Sequence, residues 1–260
     1  MCRLFVLRSA VPLCEQVSLW DAGNSLAAQS RRDARGESHL DGWGVAAFSA
    51  SGEPRITHSL LAACDDPAFE DLARSLSSTT LVAHVRQASV GSKTLKNTHP
   101  FTHGRWVFVH NGTLENFAHR KGPLLEAIPD DLRGQIQGET DSEHVFFCWL
   151  GHLRAMTGDL TEPVDADTLA SAMRQTIEPL PDWFPPHEGE VSKFNFVVTD
   201  GHLLVATRWC HRLSCREAVD GDPAIRIASE PTESTGWQEV PDRSMLVVDE
   251  ELTVQTASLA

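Results

Sequence analysis

Apolar residues fall in short runs at positions 4–7, 43–48, 81–85, 106–109, 194–198, 203–206, 225–228 and 245–248. Each run is rich in β-branched or aromatic residues and bounded by turn formers, which predicts strands. Thr199-Asp200-Gly201 separates two of them with a glycine available for positive φ, so neighbouring strands are expected to be antiparallel. Helical periodicity predicts helices over 66–76, 142–156 and 166–177, with a looser one over 17–28. Thr140-Asp141-Ser142-Glu143 has the form of a capping box, ahead of a stripe of Val145, Cys148, Trp149, His152, Leu153 and Met156. A buried helix is expected to begin there. Strand and helix segments interleave without a break in composition or an internal repeat, so one domain over residues 1–260 is expected.

Composition narrows the partners. The 260 residues carry 22 basic and 36 acidic side chains, a net charge of −14, which argues against nucleic acid or an anionic membrane as a partner. No stretch approaches the ~20 apolar residues of a membrane helix, and the run 4–7 is too short for a secretory signal. Six cysteines, at 2, 14, 64, 148, 210 and 215, then read as reduced thiols in a cytoplasm. Tyrosine is absent, so no phenol serves as acid or nucleophile.

Phosphate-loop, dinucleotide and zinc-helix motifs are missing. His99 and His103 are four apart, but Pro100 argues against a shared helical face, and Cys210-His211 with Cys215 lacks a second ligand pair. Neither a metal nor a cofactor is expected.

Cys2 stands out because removal of Met1 would leave its thiol and a free α-amine on the same carbon. An amine titrating near ~7.7–8.0 can take the proton of a thiol titrating near ~8.5, so such a residue carries its own base. Equally, Cys2 can be a small apolar residue opening a buried strand. Arg86 ends an apolar run, where its guanidinium calls for an anion. Asn111-Gly112 pairs an amide side chain with a bare backbone N–H, suited to a tetrahedral oxyanion, although the same dipeptide favours a hairpin turn. Asp141 caps or complements a helix start, and together with Arg86 it supplies the fixed anion and cation that an amino-acid head group needs.

These segments come in a familiar order. Met1-Cys2-Arg3-Leu4, Asp41-Gly42-Trp43-Gly44, Ala83-His84-Val85-Arg86, Asn97-Thr98-His99-Pro100, His110-Asn111-Gly112 and Thr140-Asp141-Ser142-Glu143 resemble the class II glutamine amidotransferases, which are N-terminal-nucleophile hydrolases. Phe194-Asn195-Phe196 and Ala228-Ser229-Glu230-Pro231 look like its stand-alone γ-glutamyl hydrolase branch, similar to the ergothioneine-pathway hydrolase and the yeast glutathione-degradation amidase subunit. The resemblance implies an α+β fold, a four-layer αββα sandwich of two antiparallel sheets. It also implies Cys2 as nucleophile, Asn111 and Gly112 as the oxyanion hole, Arg86 on the substrate carboxylate and Asp141 on its ammonium.

Ser89 supplies a hydroxyl where that family usually has threonine, whereas Val90 stands in place of a histidine. His99 is expected to brace the loop near Arg86, and Trp43 to be either core or pocket wall. The expected activity is cysteine-dependent cleavage of a γ-glutamyl amide through a thioester, with a small γ-glutamyl substrate and room for a partner protein subunit. Two rivals share these residues: an acyl-amide hydrolase of the bile-salt or penicillin type, and a non-catalytic γ-glutamyl-binding subunit.

Overall fold

The computed structural model describes residues 2–49 and 52–259. Every expected strand forms, within the series β1 (Arg3–Leu13), β2 (Trp43–Phe48), β3 (Pro54–Ser59), β4 (Ser78–Val85), β5 (Phe101–His103), β6 (Trp106–Thr113), β7 (Lys193–Thr199), β8 (Leu204–Arg208), β9 (Ser214–Arg216), β10 (Ala224–Ala228), β11 (Gln238–Glu239), β12 (Ser244–Val248) and β13 (Val254–Ser258). One sheet has the order β11-β9-β10-β1-β4-β2-β3 and the other β13-β12-β8-β7-β6-β5. Their ladders are antiparallel throughout. Gly201, at φ +94°, makes the tight return from β7 to β8.

Because side chains alternate along a strand, each sheet has two apolar faces to cover. Leu4 and Val6 of β1 point inward against Val107, Val109 and Val197 of the second sheet. Phe5 and Leu7 point outward, where α1 (Leu26–Arg31) and α2 (Pro67–Ser75) cover them with Leu26 and Phe69. On β6, Trp106 and Phe108 point to the opposite exterior. There they meet α3 (Phe117–Arg120), α4 (Gly122–Ala127), α5 (Asp130–Arg133), α6 (Asp141–Thr157), α7 (Ala166–Ile177) and α8 (Leu180–Trp183). Three apolar layers thus separate helix, sheet, sheet and helix, an αββα sandwich.

Two local expectations change. The loose helix over 17–28 is broken: Val17–Asp21 is a π-helical turn closed by Ala22 N–H donating to Val17 O at 2.9 Å, and α1 begins afresh when Ser25 Oγ accepts from Ala28 N at 3.2 Å. At α6, Thr140 Oγ1 accepts from Glu143 N at 3.2 Å as the capping box requires. The Glu143 carboxylate turns instead to Gln137 N at 2.9 Å and Gly138 N at 2.6 Å, fastening the preceding loop to the helix. Met156 of the expected stripe is exposed, while α6 is buried nearly all round over its first three turns because α4, α5 and α7 flank it.

Candidate active site

Strand pairing decides which residues meet. Arg3 lies opposite Val85 in the β1–β4 ladder, so Cys2 and Arg86 extend adjacent antiparallel strands at the same end of the sheet. By alternation, Cys2 continues the inward parity of Leu4 and Val6, and Arg86 that of Val82. Asn111 shares the inward parity of Val107 and Val109 on β6, from the opposite sheet. Cys2, Arg86, Ser89, His99, Gly112 and Asp141 all wall one small cavity of about 20 Å³, room for about one water. Trp43 does not: it points outward, edge-on to Phe69 at 5.0 Å, and donates its ring N–H to Asp66 at 2.9 Å. It is a core aromatic. A larger cavity of about 490 Å³, walled by Thr98, Pro100, Gln137 and Glu143, shares no wall residue with the first and holds neither cysteine nor arginine.

Cys2 is held from both sides. Its Sγ donates to Gln87 O at 3.4 Å and accepts from Gln87 N at 3.3 Å, a clasp that composition and motif gave no sign of. Burial pushes the thiol pKa up, with the Gln87 N–H and the Arg86 charge pulling the other way. The Cys2 carbonyl accepts from Arg3 Nη1 at 2.9 Å, and Arg3 is ion-paired to buried Asp33, whose carboxylate also meets His39 at 3.0 Å. The expected loss of Met1 falls outside the described residues.

The two charged residues differ in readiness. Among the described residues, the Arg86 guanidinium donates only to neutral loop carbonyls, Val90 and Ser92 at 3.1 Å and Gly91 at 3.3 Å. A carboxylate is the stronger acceptor and would displace them. Asp141 Oδ1 accepts from Ser142 N at 2.8 Å and Ser142 Oγ at 3.2 Å, and Oδ2 accepts from Leu114 N at 2.8 Å, leaving a lone pair on Oδ2. Ser89 is exposed, its hydroxyl 3.1 Å from that of Thr113.

Asn111-Gly112 is strand, not turn. Phe194, opposite Gly112, donates its N–H to Trp209 O on the far side of β7. The Gly112–Phe194 pair is therefore not hydrogen-bonded, and the Gly112 N–H points to the free edge of β6. A Cβ at Gly112 would lie 2.0 Å from Lys193 O, so only glycine fits. Asn111 is fully buried, with neither amide atom hydrogen-bonded among the described residues. Such an orphan is costly to keep.

Histidines crowd this end of the sandwich. His110 Nε2 lies 2.9 Å from Lys193 O, which only accepts, so Nε2 carries the proton; Nδ1, 2.9 Å from Ser142 Oγ, faces the hydroxyl beside Asp141. This link was not legible as a motif. His99 stacks on His84 at 4.3 Å, and neither of its ring nitrogens has a partner among the described residues. Burial holds His99 well below the usual imidazole range and pushes His84 down to about 3. His39 and His211 fall likewise to about 4 and about 3.

Unfolded histidines take protons near ~6.5, so below that pH the unfolded chain binds more protons than the folded one and stability falls with pH. The expected result is a lower melting temperature at pH 5 than at pH 7, measured by calorimetry. An unchanged or higher value would show that these imidazoles are not neutral in the fold.

Residues 1–254 match the family model for class-II glutamine amidotransferases, and the chain belongs to that family, whose enzymes act on amide C–N bonds. Among curated relatives it is 30% identical to the probable glutamine amidotransferase DUG3 of Saccharomyces cerevisiae, over 95% of this chain and 82% of that one. It is 29% identical to the γ-glutamyl-hercynylcysteine sulfoxide hydrolase of Mycobacterium tuberculosis, over 91% and 88%. A glutamine aminotransferase class-II domain protein from Silicibacter pomeroyi has the same fold, with TM-score 0.68 at 22% identity over the full length of both chains.

Proposed function

We propose that this protein hydrolyses a γ-glutamyl amide through a thioester on Cys2. The observation that carries the proposal is the single cavity joining Cys2 with Arg86, Gly112 and Asp141. Arg86 holds the substrate α-carboxylate and Asp141 its α-ammonium, leaving the γ-carbonyl to reach Sγ. With Met1 removed, the Cys2 α-amine takes the thiol proton as sulfur attacks. The Asn111 amide and Gly112 N–H then receive the developing oxyanion. The amide nitrogen leaves with the proton, and water resolves the thioester to glutamate. Because the cavity holds about one water, binding displaces the loop carbonyls at Val90–Ser92 and frees the Arg86 fork.

An acyl amidase with the same nucleophile has no use for a buried cation and anion flanking it, which favours the γ-glutamyl reading. A panel of γ-glutamyl amides, followed by glutamate release, tests this. Turnover competed by free glutamate is the expected outcome; turnover of hydrophobic acyl amides unaffected by glutamate would transfer the protein to the rival class.

A further inference from the structure

His110 precedes Asn111 in β6 and so faces the opposite way, toward the start of α6. The ring is buried, packs on Phe196 at 4.7 Å, and walls the nucleophile's cavity together with Ser142 and Asp141. Its Nε2 donates to Lys193 O at 2.9 Å, so in the neutral ring Nδ1 is a bare acceptor.

The Ser142 hydroxyl has one proton and two acceptors within reach, His110 Nδ1 at 2.9 Å and Asp141 Oδ1 at 3.2 Å. It cannot serve both at once. With the ring neutral, Nδ1 takes the proton at the shorter distance and Oδ1 keeps the Ser142 N–H alone. With the ring protonated, Nδ1–H donates to Oγ, and the hydroxyl proton must turn to Oδ1. The carboxylate then carries a further hydrogen bond and has an imidazolium on the far side of one hydroxyl.

We propose that His110, acting through the Ser142 hydroxyl, is a positioning residue for Asp141: the neutral ring draws the hydroxyl proton off the carboxylate and leaves its charge to the substrate ammonium. The proposal rests on the γ-glutamyl reading and deepens it, since head-group binding becomes linked to one proton. That linkage is reciprocal: an ammonium on Asp141 makes His110 harder to protonate by the same factor that protonation weakens binding.

The surroundings set where this occurs. Burial lowers the His110 pKa, and the charge of Asp141 works against that. From the facing sheet, His84 of β4 and the stacked His99 are held neutral by burial, and Arg86 and Cys2 stand in the same cavity wall. On α6, His144 Nδ1 bonds Thr140 O at 2.7 Å, and on β7 the Lys193 ammonium pairs with Glu190 at 3.2 Å. Among the described residues, Asp141 is the one anion joined to the ring through hydrogen bonds. With the folded pKa below the usual ~6.5, affinity is full near neutral pH and lost on the acid side.

Calorimetric titration of glutamate into the whole chain carrying Cys2→Ala, which binds without turnover, tests this at pH 7.0 and pH 5.0. The α-carboxylate and α-ammonium keep their charges over this range, and the γ-carboxyl of the ligand is common to every variant. Kd is expected to rise about tenfold at the lower pH, an ordinary size for coupling between two sites. In C2A/H110Q, whose amide can still donate to Lys193 O and accept from Ser142 but does not titrate, the ratio is expected to fall to about one. C2A/S142A, which deletes a single hydroxyl, is expected to flatten the profile as well. Equal Kd at the two pH values in C2A, or a rise that survives in either double variant, would overturn the inference alone. No binding of glutamate at pH 7.0 would overturn the γ-glutamyl reading, and the inference with it.

Discussion

Cys2→Ala is expected to abolish glutamate release from every γ-glutamyl amide, a loss on the order of 10⁴-fold or more, as for removal of a nucleophile that no neighbour can replace. No other cysteine walls the cavity. The substitution removes only a sulfur whose hydrogen-bond partners among the described residues are the Gln87 N–H and C=O, so the fold and glutamate binding should persist. Calorimetric titration with glutamate separates this from simple unfolding. Full activity in the variant would eliminate the thioester mechanism, and an intact mass retaining Met1 would eliminate the α-amine as base.

Asn111→Ala is expected to lower kcat by about 10²–10³ with little change in KM, the usual result of deleting one oxyanion donor. The stability effect should run the other way from most core truncations. Asn111 is buried with both amide atoms unpartnered, and removing an unsatisfied polar group relieves a penalty of about 1–3 kcal/mol, against which only a small void is created. A melting temperature equal to or above that of the unaltered protein, together with the lost rate, is the combined signature of a residue kept for chemistry. Activity within tenfold of the unaltered protein would remove Asn111 from the mechanism.

Much of the sandwich is legible in the chain, and the parts that are not share a cause. The central strands announce themselves because both faces are buried, giving runs such as Leu4–Leu7 and Trp106–Val109. The strands that escape notice include all four sheet edges, β11, β3, β13 and β5. Gln255 and Thr256 of β13 are exposed, as are both residues of β11, so no apolar run marks them. At the site, residue types point to the chemistry, but facing does not follow from type. Trp43 is a core residue because it shares the outward parity of Val45, a fact fixed only once the sheets are paired. The Gln87 clasp on sulfur and the hydrogen bonds of the Asn195 amide to His211 O and Arg212 O are backbone contacts between distant segments, which no local pattern encodes.

The ion pair of Arg3 with Asp33 bears on precision rather than affinity. Under the proposed mechanism the reacting sulfur belongs to the terminal residue, and polypeptide ends ordinarily fray. Here β1 runs through the middle of its sheet, and the guanidinium of its first residue holds the preceding carbonyl from a buried carboxylate. An end of the polymer thus acquires the positional certainty of its interior, and the entropy of aiming the nucleophile is settled at folding instead of at each turnover.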